Sequence, residues 1–239
     1  MDKVLITGSS YGIGRATSEL FLKEGYIVWG LDTKPPSIKN DNYYHYQCDV
    51  TDINSLPTLY GATYIINNAG VLYEEEEPMK VNIGGVFNIE EKYIKTNLET
   101  LKAVVNAGSI TVYDGQDNRE YTCSKGALHA YTIYLCNELG KFGIRVNTIA
   151  PGSGETEMNK LYINDREVYD EVSHQNILGR WGKPEESAEA IFFLCVKATF
   201  TTGSTLFIDG GELVKTRFVR SKDEVRPYDE LYAKFITNK

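Results

Sequence analysis

Short apolar runs alternate with longer amphipathic stretches along most of the chain. Val4-Leu5-Ile6, Ile27-Val28-Trp29, Tyr64-Ile65-Ile66, Val104-Val105, Val146-Asn147-Thr148-Ile149 and Leu206-Phe207-Ile208 read as buried strands. Between them the pattern predicts helices near residues 13–24, 80–97, 120–140 and 184–197. Strand, helix, strand, repeated, is the arrangement of a parallel sheet covered on both faces. Pro184 suits a first helical turn, where its missing N–H costs nothing, and Glu185 and Glu186 complement the helix dipole there. The pattern breaks at Glu212. The 28 residues from there to Lys239 are mixed in charge, contain Pro227, and carry Phe218, Tyr228, Tyr232 and Phe235. They read either as a solvated tail or as an arm that docks on its own or a neighbouring subunit. With no visible linker, residues 1–211 are expected to form one domain.

Composition narrows the function classes. The 239 residues include 33 acidic and 25 basic side chains, a formal charge of −8, which disfavours nucleic acid because phosphate binding needs clustered Lys and Arg. A hydrophobic share of 42% with 24% charged residues excludes wholesale disorder. No run is long and apolar enough for a membrane span, and Met1-Asp2-Lys3-Val4 leads straight into a strand rather than a signal peptide. Cys48, Cys123, Cys136 and Cys195 are far apart and only three histidines accompany them, so the expectation is a cytoplasmic protein with reduced thiols and no metal site.

The first local chemistry is the turn Thr7-Gly8-Ser9-Ser10-Tyr11-Gly12-Ile13-Gly14, between the first strand and the first helix. Glycines there let the backbone turn sharply and let a pyrophosphate approach the helix N-terminus, where free N–H groups favour anions. Asp32 ends the second strand 18 residues beyond Gly14, close to the offset of about 20 for a carboxylate that binds the adenosine ribose. Such a carboxylate repels a 2′-phosphate, so NAD is preferred over NADP, although Lys34 softens the repulsion. The plainer role for Asp32 is capping the turn before Pro35-Pro36.

With these residues in view, the chain resembles the short-chain dehydrogenase/reductase family in its compact form, from Lys3 to about Gly211. The family's motifs occur in order. They are the Thr7–Gly14 turn, Cys48-Asp49-Val50, Asn67-Asn68-Ala69-Gly70, Tyr121-Thr122-Cys123-Ser124-Lys125, Pro151-Gly152-Ser153-Gly154-Glu155-Thr156, Gly179 to Glu186, and Ile208-Asp209-Gly210-Gly211. The resemblance implies a Rossmann-type, doubly wound, seven-stranded parallel α/β sheet with helices on both faces. It implies that Gly8, Ser10, Tyr11, Gly12, Ile13, Gly14 and Asp32 hold the adenosine and pyrophosphate, and that Asp49 and Val50 meet the adenine. Asn68, Ala69 and Gly70 would line the cofactor cleft, and Pro151, Gly152, Gly154 and Thr156 would hold the nicotinamide end.

Tyr121 and Lys125 stand i, i+4 on a predicted helix and share a face. A free phenol with pKa near 10 is a poor proton shuttle at neutral pH, and a neighbouring ammonium lowers that value. The resemblance implies Tyr121 as acid/base and Lys125 as its tuner and a ribose ligand. It also implies a serine on the reacting oxygen and an asparagine that orders a water beside the lysine. Starting the fifth strand at Gly108-Ser109-Ile110 would put Asp114 or Gly115 at the serine position. The register Val104-Val105-Asn106-Ala107-Gly108-Ser109 gives Ser109 instead, and it selects Asn82 over Asn97.

Departures from the family pattern bear on the substrate. Seventeen residues separate Asp49 from Ile66, leaving room for a stub of helix, and 12 separate Gly70 from Asn82. In the second gap, Tyr73-Glu74-Glu75-Glu76-Glu77 reads as a solvated loop, with a rim around the active site as the alternative. Residues 157–178 replace the family's mobile substrate loop and carry Asn159, Tyr162, Asn164, Tyr169, His174 and Gln175, which suit a sugar or polyol. His174 reads as a surface residue, and His45 and His129 as structural. The helix from Tyr121 to Leu139 is apolar on more than one face, which with the resemblance suggests a homotetramer. The function expected is hydride transfer between a small secondary alcohol and nicotinamide. Two rivals are a non-catalytic dinucleotide sensor and an extended-type epimerase or dehydratase, the latter needing a larger C-terminal region than this chain has.

Overall fold

The computed structural model describes residues 1–215. Seven parallel strands form one sheet in the order β3-β2-β1-β4-β5-β6-β7. They are β1 (Lys3–Thr7), β2 (Ile27–Asp32), β3 (Tyr43–Gln47), β4 (Tyr64–Asn67), β5 (Ala103–Ala107), β6 (Arg145–Pro151) and β7 (Thr205–Ile208). Side chains alternate between the faces, so each strand feeds two cores. Leu5, Ile65, Val104 and Val146 pack on one face with Ile89, Tyr93, Leu128 and Leu135. Val4, Ile6, Val105 and Ile149 pack on the other with Phe21, Leu22, Ile191 and Phe192.

The helices follow from these stripes. On the second face lie α1 (Gly12–Lys23) and α7 (Pro184–Phe192), joined where the Phe21 and Phe192 rings meet edge to face at 5.1 Å. On the first face lie α2 (Gly85–Ile89) and α4 (Arg119–Gly140), the latter capped where Asn118 accepts the Tyr121 N–H. Between them comes the single turn α3 (Thr111–Asp114).

The structure departs from expectation in several places. β3, Tyr-Tyr-His-Tyr-Gln, is not among the strands read from the sequence, because this edge strand lacks an aliphatic run. The helical stretch around 80–97 is α-helical only over α2, with π-helical turns at Lys80–Gly84 and Glu90–Ile94. The one around 184–197 changes to π geometry at Phe193–Lys197. No stub of helix forms between Val50 and Tyr64; the chain crosses there in turns held by Asp49, Asp52 and Ser55. The 157–178 segment folds into α5 (Lys160–Ile163) and α6 (Arg166–Ser173), the latter capped by Asp165. The two readings of the tail fall outside the described residues from 216 onward. Among the described residues no helix is long and apolar enough to cross a membrane, and no group of His, Cys, Asp and Glu is arranged to hold a metal.

Candidate active site

From β1 the chain steps to β2 and β3 on one side, and from β4 to β7 it steps the other way. The loops after β1 and β4 therefore part at the strands' carboxyl ends, where doubly wound sheets open a ligand crevice. A cleft of about 850 Å³ opens there.

One end is a cradle of backbone. Gly8 and Gly12 have φ of +68° and +51°, a region that side chains with a Cβ rarely adopt. A Cβ on Gly14 would lie 2.0 Å from the Gly8 carbonyl, so only glycine lets α1 start this close to β1. Asn68 clamps the turn from behind, its amide donating to the Thr7 and Gly8 carbonyls at 3.0 and 3.1 Å. Asp32 closes the end of β2: its carboxylate accepts the Ser10 N–H and the Lys34 N–H, each at 2.9 Å. Both carboxylate oxygens keep a further lone pair. These bonds also fulfil the turn-capping alternative for Asp32. Gly8, Tyr11, Gly12, Ile13, Asp32, Lys34, Asp49, Val50, Asn68, Ala69 and Gly70 all line the cleft. Gly14 lies beneath it. Ser10 is fully buried, and its hydroxyl has no partner among the described residues. A bare-backbone cradle at a helix start, with a carboxylate at the next strand's end, fits a dinucleotide's pyrophosphate and ribose.

The other end gathers Ser109, Tyr121, Lys125, Pro151, Gly152, Gly154 and Thr156. Tyr121 and Lys125 sit one turn apart on α4, both more than nine-tenths buried. Lys125 Nζ donates to the Ala107 carbonyl at 2.7 Å and lies 5.6 Å from the centre of the Tyr121 ring. Burial holds its pKa down at about 8. Burial pushes the Tyr121 phenol up to about 12; a hydrogen bond with Ser109 opposes this and the Asp117 carboxylate adds to it. Burial thus dominates the resting phenol, while the Lys125 ammonium, with one donor on the Ala107 carbonyl, keeps two others free among the described residues.

Asn82 is not on the cleft wall. Its amide lies behind Gly70, accepting from Val71 N–H at 2.8 Å and donating to the Val71 carbonyl and Ser124 Oγ at 3.0 and 2.9 Å. Asn97 is elsewhere, accepting the N–H groups of Gly61 and Ala62 in a buried corner. Thr156 is reached through a brace in which Glu155 N–H donates to the Gly182 carbonyl and Gly182 N–H to the Ser153 carbonyl.

The remaining lining residues come from several separate segments. Tyr73 and Glu76 bring part of the acidic run to the rim, while Glu74 to Glu77 are exposed, so both readings of that run hold in part. Asp114 ends α3, Gln116 and Asp117 come from the turn after it, and Met158, Asn159, Tyr162 and Gln175 come from the 157–178 segment. Trp181, stacked on Tyr169 at 5.4 Å, backs that segment. Glu212 enters from beyond β7; burial raises its pKa, against hydrogen bonds from the Ser153 N–H and Oγ. Of the histidines, His174 Nδ1 meets the Asp170 carbonyl and His129 meets Thr205, while His45 bridges Tyr43 and the Lys34 carbonyl.

Comparison with known proteins decides the family. A family model described as Enoyl-(Acyl carrier protein) reductase matches residues 8–212, most of the chain and every residue that lines the cleft. The chain belongs to the short-chain dehydrogenase/reductase family. It is 31% identical over 241 residues to a 3-oxoacyl-acyl-carrier-protein reductase of Thermotoga maritima, covering 88% of this chain and 97% of that one. It is 32% identical over 241 residues to the glucose 1-dehydrogenase of Gluconobacter oxydans, covering 87% and 91%. The ligand-free structure of Thermoplasma acidophilum aldohexose dehydrogenase superposes with a TM-score of 0.84 at 25% identity, covering 92% of this chain and 97% of that one. As a family member this short-chain dehydrogenase/reductase is an oxidoreductase that works with a nicotinamide dinucleotide.

Proposed function

We propose that this family member is an NAD-preferring dehydrogenase or carbonyl reductase for a small hydroxylated secondary alcohol, a sugar or polyol, or its ketone. What carries the reading is the meeting of Ser109, Tyr121 and Lys125 on the same cleft that Gly8, Gly12 and Asp32 open. When bound, the dinucleotide supplies or takes up the hydride. Gly8, Tyr11, Gly12 and Ile13 would hold its pyrophosphate, Asp32 its adenosine ribose, Asp49 and Val50 its adenine. Lys125 would hold its other ribose, and Pro151, Gly152, Gly154 and Thr156 its nicotinamide end.

The chain's own part is proton handling. With its pKa at about 12 the Tyr121 phenol is protonated at neutral pH, ready to donate to a ketone oxygen and leave as the phenolate; in the reverse direction it is that phenolate, formed by proton loss to solvent, that takes the proton of the substrate hydroxyl. Ser109 Oγ donates to the same oxygen and fixes it in line with Tyr121. The buried Lys125 ammonium stabilises the phenolate each time the proton leaves. Asn82 supports this arrangement by tying the Val71 wall to α4 through Ser124. The substrate end supports a hydroxylated molecule: Tyr73, Gln116, Asn159, Tyr162 and Gln175 offer hydrogen bonds, and Asp114, Asp117 and Glu212 disfavour anions.

Initial rates with NAD⁺ and NADP⁺ against sugars, polyols, simple secondary alcohols and a 3-oxoacyl thioester test this reading. Reduced dinucleotide forming fastest from NAD⁺ with a polyhydroxylated substrate is the expected result. Preference for the thioester, or no turnover with any substrate, overturns it.

A further inference from the structure

The three central strands each carry one polar side chain at the same level. Asn67 on β4, Asn106 on β5 and Thr148 on β6 are register partners across the sheet. All are at most 3% exposed, in a layer otherwise built from Ile65, Val104 and Val146. They form a continuous ladder. Asn67 Nδ2 donates to Asn106 Oδ1 at 2.8 Å, and Asn106 Nδ2 to Thr132 Oγ1 at 2.9 Å. Thr148 Oγ1 donates to the same Thr132 hydroxyl at 2.9 Å, and Thr132 passes its own proton to the Leu128 carbonyl. Asn67 Oδ1 remains without a partner among the described residues. Well-packed aliphatic side chains would fill this layer without that cost, so stability alone does not account for the ladder.

Its position does. Thr132 lies seven residues beyond Lys125, about 10 Å along the same face of α4. Ala107, whose carbonyl takes Lys125 Nζ, directly follows Asn106. Two consecutive residues of β5 thus grip α4 at two points, a side chain at Thr132 and a carbonyl at Lys125. With two grips on one face, α4 cannot slide or roll without breaking one of them. Asn67 extends the hold to Asn68-Ala69-Gly70, and Gly70 closes against Lys125, where an added Cβ would lie 3.4 Å from Nζ.

We propose that Asn106 and Thr132, supported by Asn67 and Thr148, are positioning residues that set the depth and rotation of α4 and so hold the Tyr121–Lys125 pair against the cleft. This rests on the reading of Tyr121 and Lys125 given above, and it is tested by two readouts, one of which needs neither dinucleotide nor turnover.

Thr132→Val keeps the volume and removes the hydroxyl; Thr132→Ser keeps the hydroxyl. The first readout is the rate at which Lys125 is acylated by a small reagent, read by mass spectrometry of its peptide. Alkylation of buried Cys195, in the core of the opposite face, controls for global opening. The expected result is Lys125 labelling faster by about tenfold in Thr132→Val, unchanged Cys195 labelling, and recovery in Thr132→Ser. The second readout is the pH profile of kcat, expected to fall about tenfold and to shift its midpoint in Thr132→Val, since small misplacements of reacting groups are costly. Lys125 labelling equal to wild type, or rising only together with Cys195, overturns the proposal. If Lys125 labelling changes as expected in Thr132→Val while the wild type turns over no substrate, the functional reading fails and the positioning stands. Should Thr132→Val not fold, Thr148→Val removes one rung and leaves Thr132 in place. It is expected to speed Lys125 labelling about threefold, and no change overturns the proposal.

Discussion

Lys125 Nζ lies 5.6 Å from the centre of the Tyr121 ring, one helical turn along the same buried face. Burial disfavours the charged form of each: the lysine is held down at about 8 and the phenol up at about 12. Stability is thereby linked to pH. Between about 8 and 10.5 the unfolded chain binds a proton at Lys125 that the folded chain does not, so this lysine's contribution rises with pH across that window. Above about 10, Tyr121 acts with the opposite sign, because the unfolded chain loses its phenolic proton first. Lys125→Met is therefore expected to raise stability near neutral pH by about 1–2 kcal/mol while abolishing turnover. Urea midpoints near pH 7 and near pH 10 check this: the variant's advantage shrinks at the higher pH. An advantage that grows with pH contradicts the linkage.

In the proposed reading Asp32 sets the cofactor preference: its carboxylate lines the cleft at the end of β2 and would meet the adenosine ribose, with Lys34 as the nearby cation. Asp32→Ser is expected to move the NAD-to-NADP ratio of kcat/KM toward NADP by about tenfold to a hundredfold, a change of about 1.4–2.7 kcal/mol. Steady-state kinetics with both dinucleotides measure it, and an unchanged ratio assigns the preference elsewhere.

The two candidate asparagines separate experimentally. Asn97 satisfies four backbone groups away from the cleft, three of them in buried bonds, so Asn97→Ala is expected to cost about 2–3 kcal/mol of stability with kcat unchanged. Asn82 ties the cleft wall to α4, so Asn82→Ala is expected to lower kcat about tenfold or more beyond any loss of stability. Thermal melts beside initial rates distinguish them.

The face shared by α2 and α4 is apolar and exposed: Phe87 is 49% exposed, Tyr134 57% and Ile133 41%. An exposed apolar patch of this kind is expected to be covered by a partner, here a second copy of the chain. A homotetramer has four times the 26.9 kDa chain mass, about 108 kDa by light scattering. The double variant Phe87→Glu, Tyr134→Glu is expected to lower the measured mass. A wild type at the mass of one chain contradicts the tetramer.

The sheet was legible because β1, β4, β5 and β6 are buried on both faces and read as apolar runs. β3 was not, since an edge strand of tyrosines, histidine and glutamine has no such run. The cofactor end was legible for a related reason. Positive φ at Gly8 and Gly12 and close approach at Gly14 demand glycine, and that leaves a mark in sequence. The substrate end leaves a fainter one: the acidic run at Tyr73 and the polar 157–178 segment stand out in composition, but Asp117 and Glu212 do not, and the four segments meet only through tertiary folding. The Tyr121–Lys125 spacing could be read from the chain, but its electrostatics could not, because burial, which raises the phenol and lowers the lysine, is a property of the folded packing.

The central claim, that Tyr121 moves the proton in this cleft, is tested most directly by Tyr121→Phe. Reduced nicotinamide should form at no more than about a thousandth of the wild-type rate with the best substrate, the upper part of the range for losing a general acid. Calorimetric titration should show NAD binding within about threefold of wild type, because the phenol contributes little to holding the dinucleotide. A variant that binds NAD and retains most of its turnover would contradict the account.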